Sequence, residues 1–435
     1  MPDKRKKTPK EKVRLIDRIK NVRTKPWYQT LKSDIKANYY KPGLFKNFDW
    51  FLFALIVAIA LTGVVAIFAA TVDPIDGEVH GLLELLATNT VQAPRLQLIW
   101  LLAGTVLFFL MTVLDYRLFG KYSQIIYLLN IIVLLVVLFV KAGRGGMTAF
   151  FGWTSSSSGQ RGIQPSEFGK VAMIICIAYH FSRRKTEIRN VRELLPSLIY
   201  VAAPAVLVFL QPDFGTALVY AVMYAIMVYV SGTNRKLIYG VIAVVLLIGI
   251  PLWFWLNSSS SNFRLTRILM WLNPDQYPDD ARQVINGQIA VGSGGLWGKG
   301  IVSVGSFASL GYIPDDHTDF CFAIFCEAFG FIGALLLFGA YLLLLGRLLY
   351  HAYHTEDQFG SNILLCTFSM FLFHILENIC MILGILPVTG IPLPFISYGG
   401  SSCLTNMLAL GLAMNVIMRS REKKKTGHKR VTAKL

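Results

Sequence analysis

The 435-residue chain is 54% hydrophobic and only 15% charged, with a formal net charge of +17. Soluble globular domains carry about 25% charged residues, so this composition excludes an ordinary soluble fold. The apolar residues come in runs of about 20, enough to cross a hydrocarbon core as a helix, and lack the alternation of a membrane barrel strand.

In chain order, residues 1–47 form a basic tail that opens "MPDKRKKTPKEKVRLIDRIK" and reads as uncleaved. Ten spans are then predicted, near 50–70, 96–114, 124–141, 168–181, 196–210, 214–230, 237–256, 320–346, 363–383 and 403–418. Ten crossings return both termini to one side. Lys and Arg crowd the N-terminal tail, "SRRKTEIRNVR" (182–192), "GTNRK" (232–236) and the tail 419–435. All four fall on one face under this count, and the positive-inside rule makes that face cytoplasmic. The expected architecture is an all-α polytopic membrane protein, with a membrane domain over 48–418 and a basic tail at each end. The basic tails meet anionic lipid headgroups on this reading, and not nucleic acid, because no nucleic-acid recognition module accompanies the charge.

The opposite face holds the polar loops 72–95, 143–168, 257–319 and 384–402. The segment 257–319, between spans seven and eight, is the longest, and a long loop inside a compact domain is usually functional. Chemistry is therefore expected outside the cytoplasmic membrane. No P-loop signature is present, and neither a nucleotide nor an organic cofactor is implied.

Within that loop, Arg264 and Arg267 in "NFRLTRILMWLNP" are spaced i, i+3, so on a helix both guanidinia face one way. The planar guanidinium suits phosphate, although interfacial snorkelling beside Trp271 explains the pair as well. "VGSGGLWGKG" (291–300) is a glycine-rich stretch that would let backbone approach a ligand. "GYIPDDHTDF" (311–320) places Asp315, Asp316, His317 and Asp319 at the lip of span eight. Two readings are open for the last: Thr318 or Asp319 as N-cap of the span, or Asp319 as a general base. Asp315 and Asp316 are candidates for a divalent cation, Mg2+ or Mn2+, or are solvated turn residues.

Further charges lie in or beside the spans: Glu167 and Lys170 in "QPSEFGK", Asp213 in "LQPDFGTA", Glu327 in "FCEAFG", and Glu377 beside Asn378. Ionisable groups at membrane depth are functional candidates by default. Glu167 and Lys170 are spaced to neutralise each other, and His374 reads as an interior histidine, since no further metal ligands follow at helical spacing. The six cysteines all fall in or at the edge of apolar segments and read as small core residues.

Taken together, "QPSEFGK", "LQPDFGTALV", "GSGGLWGKG", "HTDFCFA" and "LPVTGIPLPFISYGGSS" resemble the SEDS family of bacterial wall proteins over residues 48–418. "GIPLPF" and "LDYR" (114–117) are more similar to its elongation branch, RodA, than to the division branch, FtsW. The resemblance implies a peptidoglycan glycosyltransferase in the bacterial cytoplasmic membrane, which polymerises lipid II on the outer side with loss of undecaprenyl pyrophosphate. It implies Asp319 as the catalytic residue. Arg264, Arg267, Lys299 and Gln283 would then bind the pyrophosphate or lipid II. Glu167, Lys170, Asp213, His317, Glu327, Ser397 and Tyr398 would line a supporting polar cavity. The implied partners are the nascent glycan strand, a class B penicillin-binding protein, other elongation-complex proteins and membrane lipids. A lipid II flippase, and the division or sporulation roles within the family, are the alternatives.

Overall fold

A computed structural model of the chain describes residues 44–71, 92–142, 151–153, 161–184, 187–211, 213–244, 247, 263–301, 303, 305–313 and 317–432. Helices lie in the predicted spans, the seventh (237–256) being described only over its first part: α1 (Trp50–Thr71), α2 (Gln92–Val113), α4 (Ser123–Ala142), α5 (Pro165–Ser182), α6 (Val191–Leu210), α7 (Phe214–Val230), α8 (Arg235–Val244), α11 (Cys321–His354), α12 (Gln358–Ile382) and α13 (Gly400–Thr432). A short helix α3 (Tyr116–Lys121) joins α2 to α4, while α9 (Phe263–Leu272) and α10 (Pro278–Ser293) lie in the long segment before α11. That segment is thus not a bare loop. One antiparallel pair, β1 (Phe151–Trp153) with β2 (Arg161–Ile163), adds the strands that an all-α reading omitted.

Six of these helices, α1, α2, α6, α11, α12 and the first part of α13, are each long and apolar enough to cross a membrane. α4 and α7 are shorter apolar helices. The apolar stretch of α13 is 83% buried and that of α12 67%, against 22% for α2, so α12 and α13 form the inside of the bundle and α2 its outside. Apolar side chains on α2, such as Leu102 and Val106, stay exposed, as suits a lipid-facing helix.

Two helix ends differ from the sequence expectation. α11 runs to His354 instead of stopping near 346, and α13 continues without a break to Thr432, so part of the basic tail is helical. α11 also opens at Gly330, whose φ of 65° is left-handed and suits only glycine well. The freed backbone groups there are taken up by the glycine-rich stretch: Lys299 N–H donates to Glu327 C=O at 2.9 Å, and Phe331 N–H to Gly295 C=O at 2.9 Å. A Cβ on Gly298 or Gly330 would collide with the opposing backbone. The close approach of 291–300 is to the chain's own broken helix.

The far end of α11 explains its extra length. Asp49, immediately before α1, is buried and accepts from Arg347 at 2.9 Å, His351 at 2.8 Å and Arg421 at 3.0 Å. One carboxylate thereby ties α1, α11 and α13 together. Burial alone would raise its pKa, but the His351 hydrogen bond, the Leu52 N–H and the two arginines outweigh it and hold the carboxyl well below the ordinary 3.8. A depressed carboxylate contributes stability above its unfolded value, and the contribution is lost as pH falls through the folded value. Thermal unfolding in detergent is therefore expected to show an acid-side loss of stability below about pH 4, the unfolded carboxylate range, that Asp49→Asn removes.

Candidate active site

None of the six cysteines forms a disulfide, and five are buried, with Cys380 half-buried, as core residues should be. The candidate site is where the turn before α11, the loop helix α9 and the segment after α12 converge.

That turn is held from three sides. Asn378 of α12 donates to the main-chain carbonyl of Asp319 at 2.9 Å and to that of Ile391 at 2.9 Å. Tyr398 N–H donates to His317 C=O at 2.8 Å, and the two rings lie 5.6 Å apart. Cys321 Sγ donates to Ile396 C=O at 3.3 Å. The "GIPLPFISYGGSS" stretch is itself rigid. Ser397 Oγ accepts from Leu393 N–H at 2.9 Å, Tyr341 donates to Pro394 C=O at 2.6 Å, and Phe395 sits at a left-handed φ of 66°. Ser397 and Tyr398 thus act as scaffold, fixing the turn that carries Asp319.

The N-cap of α11 is Phe320, with no side-chain capping bond, so the cap reading of Thr318 or Asp319 is not what the structure shows. The half-buried Asp319 carboxylate instead faces Gly390. A Cβ on that glycine, whose φ is 77°, would lie 3.4 Å from Asp319 Oδ2 and 3.9 Å from Arg267 Nη1. Arg267 reaches this point from α9, donating to Val388 C=O at 3.2 Å. Burial pushes the Arg267 pKa down from its ordinary value, and the carboxylates of Asp319 and Glu377 push it back up. Glu377 is 1% exposed and accepts from the Thr389 hydroxyl. A carboxylate, an arginine and a second carboxyl therefore meet around residues 388–390.

Arg264 lies on the same helix as Arg267, but its side chain is outside the described residues, as are Asp315 and Asp316. Gln283 lies on α10, half-buried. Lys299 Nζ is 2.6 Å from Glu327 Oε1, and Glu327 also accepts from Ser293 and from Phe307 N–H, so these two residues form an ion pair of their own beside the α11 break. Asp213 caps α7 through Thr216 N–H at 3.1 Å and accepts from Gln164 at 2.9 Å and Ser166 at 2.7 Å. Inside the bundle, Lys170 Nζ lies 2.6 Å from Glu167 Oε1 and 3.2 Å from His374 Nε2, all three groups buried. The structure therefore brings Asp319 and Arg267 together and assigns Asp213, Ser397 and the Lys299–Glu327 pair to local structure. Thr389 and Gly390 are site residues that the sequence reading did not single out; their signal was the proline-glycine segment, read there only as a family motif, and Asn378 was named only as the neighbour of Glu377.

An apolar cavity of about 110 Å³ adjoins this point, lined by Met270, Trp271, Val284, Leu386 and Val388 among others. Among the described residues, no group of three or more His, Cys, Asp or Glu side chains could hold a metal ion.

Comparison with known proteins gives one consistent answer. The profile of the FtsW/RodA/SpoVE family, described as "Cell cycle protein", matches residues 49–422. A probable peptidoglycan glycosyltransferase FtsW of Trichlorobacter lovleyi is 30% identical over 378 residues, which is 86% of this chain and 94% of that protein. The peptidoglycan glycosyltransferase RodA of Treponema pallidum is 28% identical over 442 residues, covering 86% and 98%. In three dimensions, a chain of a solved peptidoglycan synthase complex that coordinates polymerization and crosslinking superposes with a TM-score of 0.66 at 27% identity, covering 86% of this chain and 98% of that one. The chain belongs to the FtsW/RodA/SpoVE family.

Proposed function

We infer that the chain is a peptidoglycan glycosyltransferase that polymerises lipid II into β-1,4-linked glycan for wall elongation. The observation that carries this reading is the meeting of Asp319 and Arg267 at Gly390, in a chain whose relatives bear that enzyme name. The acceptor is lipid II. Its GlcNAc 4-hydroxyl oxygen attacks C1 of the MurNAc at the end of the growing, pyrophosphate-linked strand. The C1–O bond breaks, its electron pair leaves with undecaprenyl pyrophosphate, and the configuration at C1 inverts. The hydroxyl proton passes to the Asp319 carboxylate as the new bond forms. Arg267 faces the charge that develops on the leaving pyrophosphate, and Arg264 stands one turn earlier on α9. Lys299, paired with Glu327 beside the break in α11, is a further candidate to meet the pyrophosphate.

Asp315 and Asp316, the carboxylates that would hold a cation, lie outside the described residues. A divalent cation, Mg2+ or Mn2+, enters this reading as an ion carried on the substrate phosphates, the usual habit of Mg2+. The site faces the outside of the bacterial cytoplasmic membrane, with both termini inside, a reading that the Lys and Arg distribution supports. A class B penicillin-binding protein is the expected partner, because the synthase complex to which the fold is similar couples polymerization to crosslinking.

One observation favours a second reading, lipid II translocation. The buried Glu167–Lys170–His374 cluster is the kind of intramembrane charge that transporters carry. Labelled lipid II in detergent micelles separates the two, since micelles have no sides to exchange. Muramidase-sensitive glycan formed there by the chain with its partner supports the polymerase. No glycan there, with label moving across vesicles instead, supports the transporter.

A further inference from the structure

Helix α10 and the glycine-rich stretch after it lie against α11 and leave an apolar face uncovered. We propose that this face is a track for the prenyl chain of the lipid-linked pyrophosphate, leading from the pocket beside Arg267 into the membrane. The proposal rests on the glycosyltransferase reading and deepens it by saying how the site holds its lipid.

Three glycines fix the direction of the track. A Cβ on Gly287 would meet the Phe320 ring, one on Gly294 the Cys326 carbonyl, and one on Gly298 the Ala328 carbonyl. Further along, Phe331 N–H donates to Gly295 C=O at 2.9 Å and Ile332 N–H to Leu296 C=O at 3.2 Å. The contacts advance along both segments together, so 278–298 runs beside the start of α11 and away from Asp319.

Depth follows from the length of α11. It has 34 residues, more than the number, about 20, that crosses a hydrocarbon core roughly 30 Å thick. Near its far end Arg347 pairs with Asp49 and lies over the Phe51 and Tyr350 rings, a setting that suits the opposite membrane interface. Counting about 20 residues back from Arg347 puts the near edge of the hydrocarbon at about Glu327. At about 1.5 Å per residue, Asp319 then stands about 12 Å outside that edge. Leu296, bonded to Ile332, lies within it.

A prenyl chain whose pyrophosphate sits at Arg267 must cross this interval before it reaches lipid, and each CH2 left in water there is unfavourable. The chain finds apolar surface along the way. The first part is the pocket of about 110 Å³ between α9, α10 and residues 384–388. Val388 lines it, and the Val388 carbonyl accepts from Arg267 at 3.2 Å, so the pocket starts where the phosphate would end. Its volume is somewhat below the roughly 150 Å³ that holds one benzene ring, which suits about one prenyl unit. Ile285 forms the exposed rim of the pocket, and Ile289, at i+4 on the same face, is 49% exposed. Leu296 and Trp297 follow at the tip, 63% and 79% exposed. Beyond them the exposed Phe331 and Leu335 of α11 continue the apolar face into the span.

The test compares binding of two probes, undecaprenyl pyrophosphate and geranyl pyrophosphate, to the full chain in lipid nanodiscs. Partition into the nanodisc lipid is common to wild type and variant and cancels between them. The double variant Leu296→Ser with Trp297→Ser changes two exposed residues at the tip, which the long probe reaches and the short one does not. It is expected to lower the ratio of long-probe to short-probe affinity by about tenfold. Val284→Phe, which fills the pocket, is expected to weaken both probes together. Should Val284→Phe fail to fold, Ile285→Asn at the exposed rim carries that arm. An unchanged ratio in the double variant overturns the proposal, since bilayer chains alone would then cover the face. An unchanged ratio with loss of the penicillin-binding partner overturns it too and assigns the face to that partner. Unaltered binding in the pocket variant removes the pocket as the start of the track and overturns the proposal as stated. Wild-type chain that binds the probes as expected but makes no glycan from lipid II contradicts the glycosyltransferase reading, whereas glycan made by a chain that fails the probe comparison contradicts only the track.

Discussion

Lys170→Met is expected to destabilise the fold by about 3–5 kcal/mol, the usual cost of removing one member of a buried ion pair. Lys170 is 1% exposed, Glu167 4% and His374 0%, so the cluster is closed off from bulk solvent. The lysine donates to Glu167 Oε1 at 2.6 Å, and Glu167 Oε2 has no other partner among the described residues. It also lies 3.2 Å from His374 Nε2, joining α5 to α12, the helix that supports the catalytic turn. Without the lysine, the carboxylate must take up a proton or remain charged in an apolar bundle, and either course costs free energy. The double variant Glu167→Gln with Lys170→Met removes both charges and is expected to unfold at a higher temperature than Lys170→Met alone. Thermal unfolding of the three purified proteins in one detergent checks this. Equal midpoints for single and double variants would mean that the charges are not coupled.

Asp319→Asn is expected to lower the polymerisation rate by roughly 10²–10⁴-fold, the contribution of a positioned general base. The substitution conserves volume and leaves the main-chain contacts untouched: the Asp319 carbonyl still accepts from Asn378, and Tyr398 still holds His317. The cap of α11 is Phe320, so losing the carboxylate does not remove a helix cap. The fold should therefore survive while the proton acceptor is gone. Initial rates of glycan formation from labelled lipid II, at matched melting temperature, read the effect. Arg267 would remain to bind pyrophosphate, so the loss should fall on kcat more than on KM.

Six of the predicted spans were plainly legible, because each coincides with a helix long and apolar enough to cross a bilayer, while α4 and α7 are shorter apolar helices and the seventh span is described only over its first part. The ends were not. "RLLYHAYH" at the close of α11 looks too polar for a span, and only the Asp49 carboxylate, nearly three hundred residues away in sequence, shows why Arg347 and His351 belong to the helix. Asp319 and Arg267 were each legible singly, from the "HTD" motif and from arginine spacing. Their meeting at Gly390 was not, because it depends on a third segment, 388–390, folding between them. Lys299 and Glu327 each stood out as a charge in the sequence, but nothing there showed that the Lys299 ammonium answers Glu327, which is buried in α11. Sequence marks a charge that needs an answer, and tertiary contact decides which residue supplies it.

The central claim is that this chain makes glycan at a site built on Asp319. The most direct test is the product made from labelled lipid II in detergent by wild-type chain and by Asp319→Asn, each with the class B penicillin-binding partner. The account predicts muramidase-sensitive polymer from the wild type and none above background from the folded variant. Polymer of equal yield from both would contradict it, since the proton acceptor would then lie elsewhere.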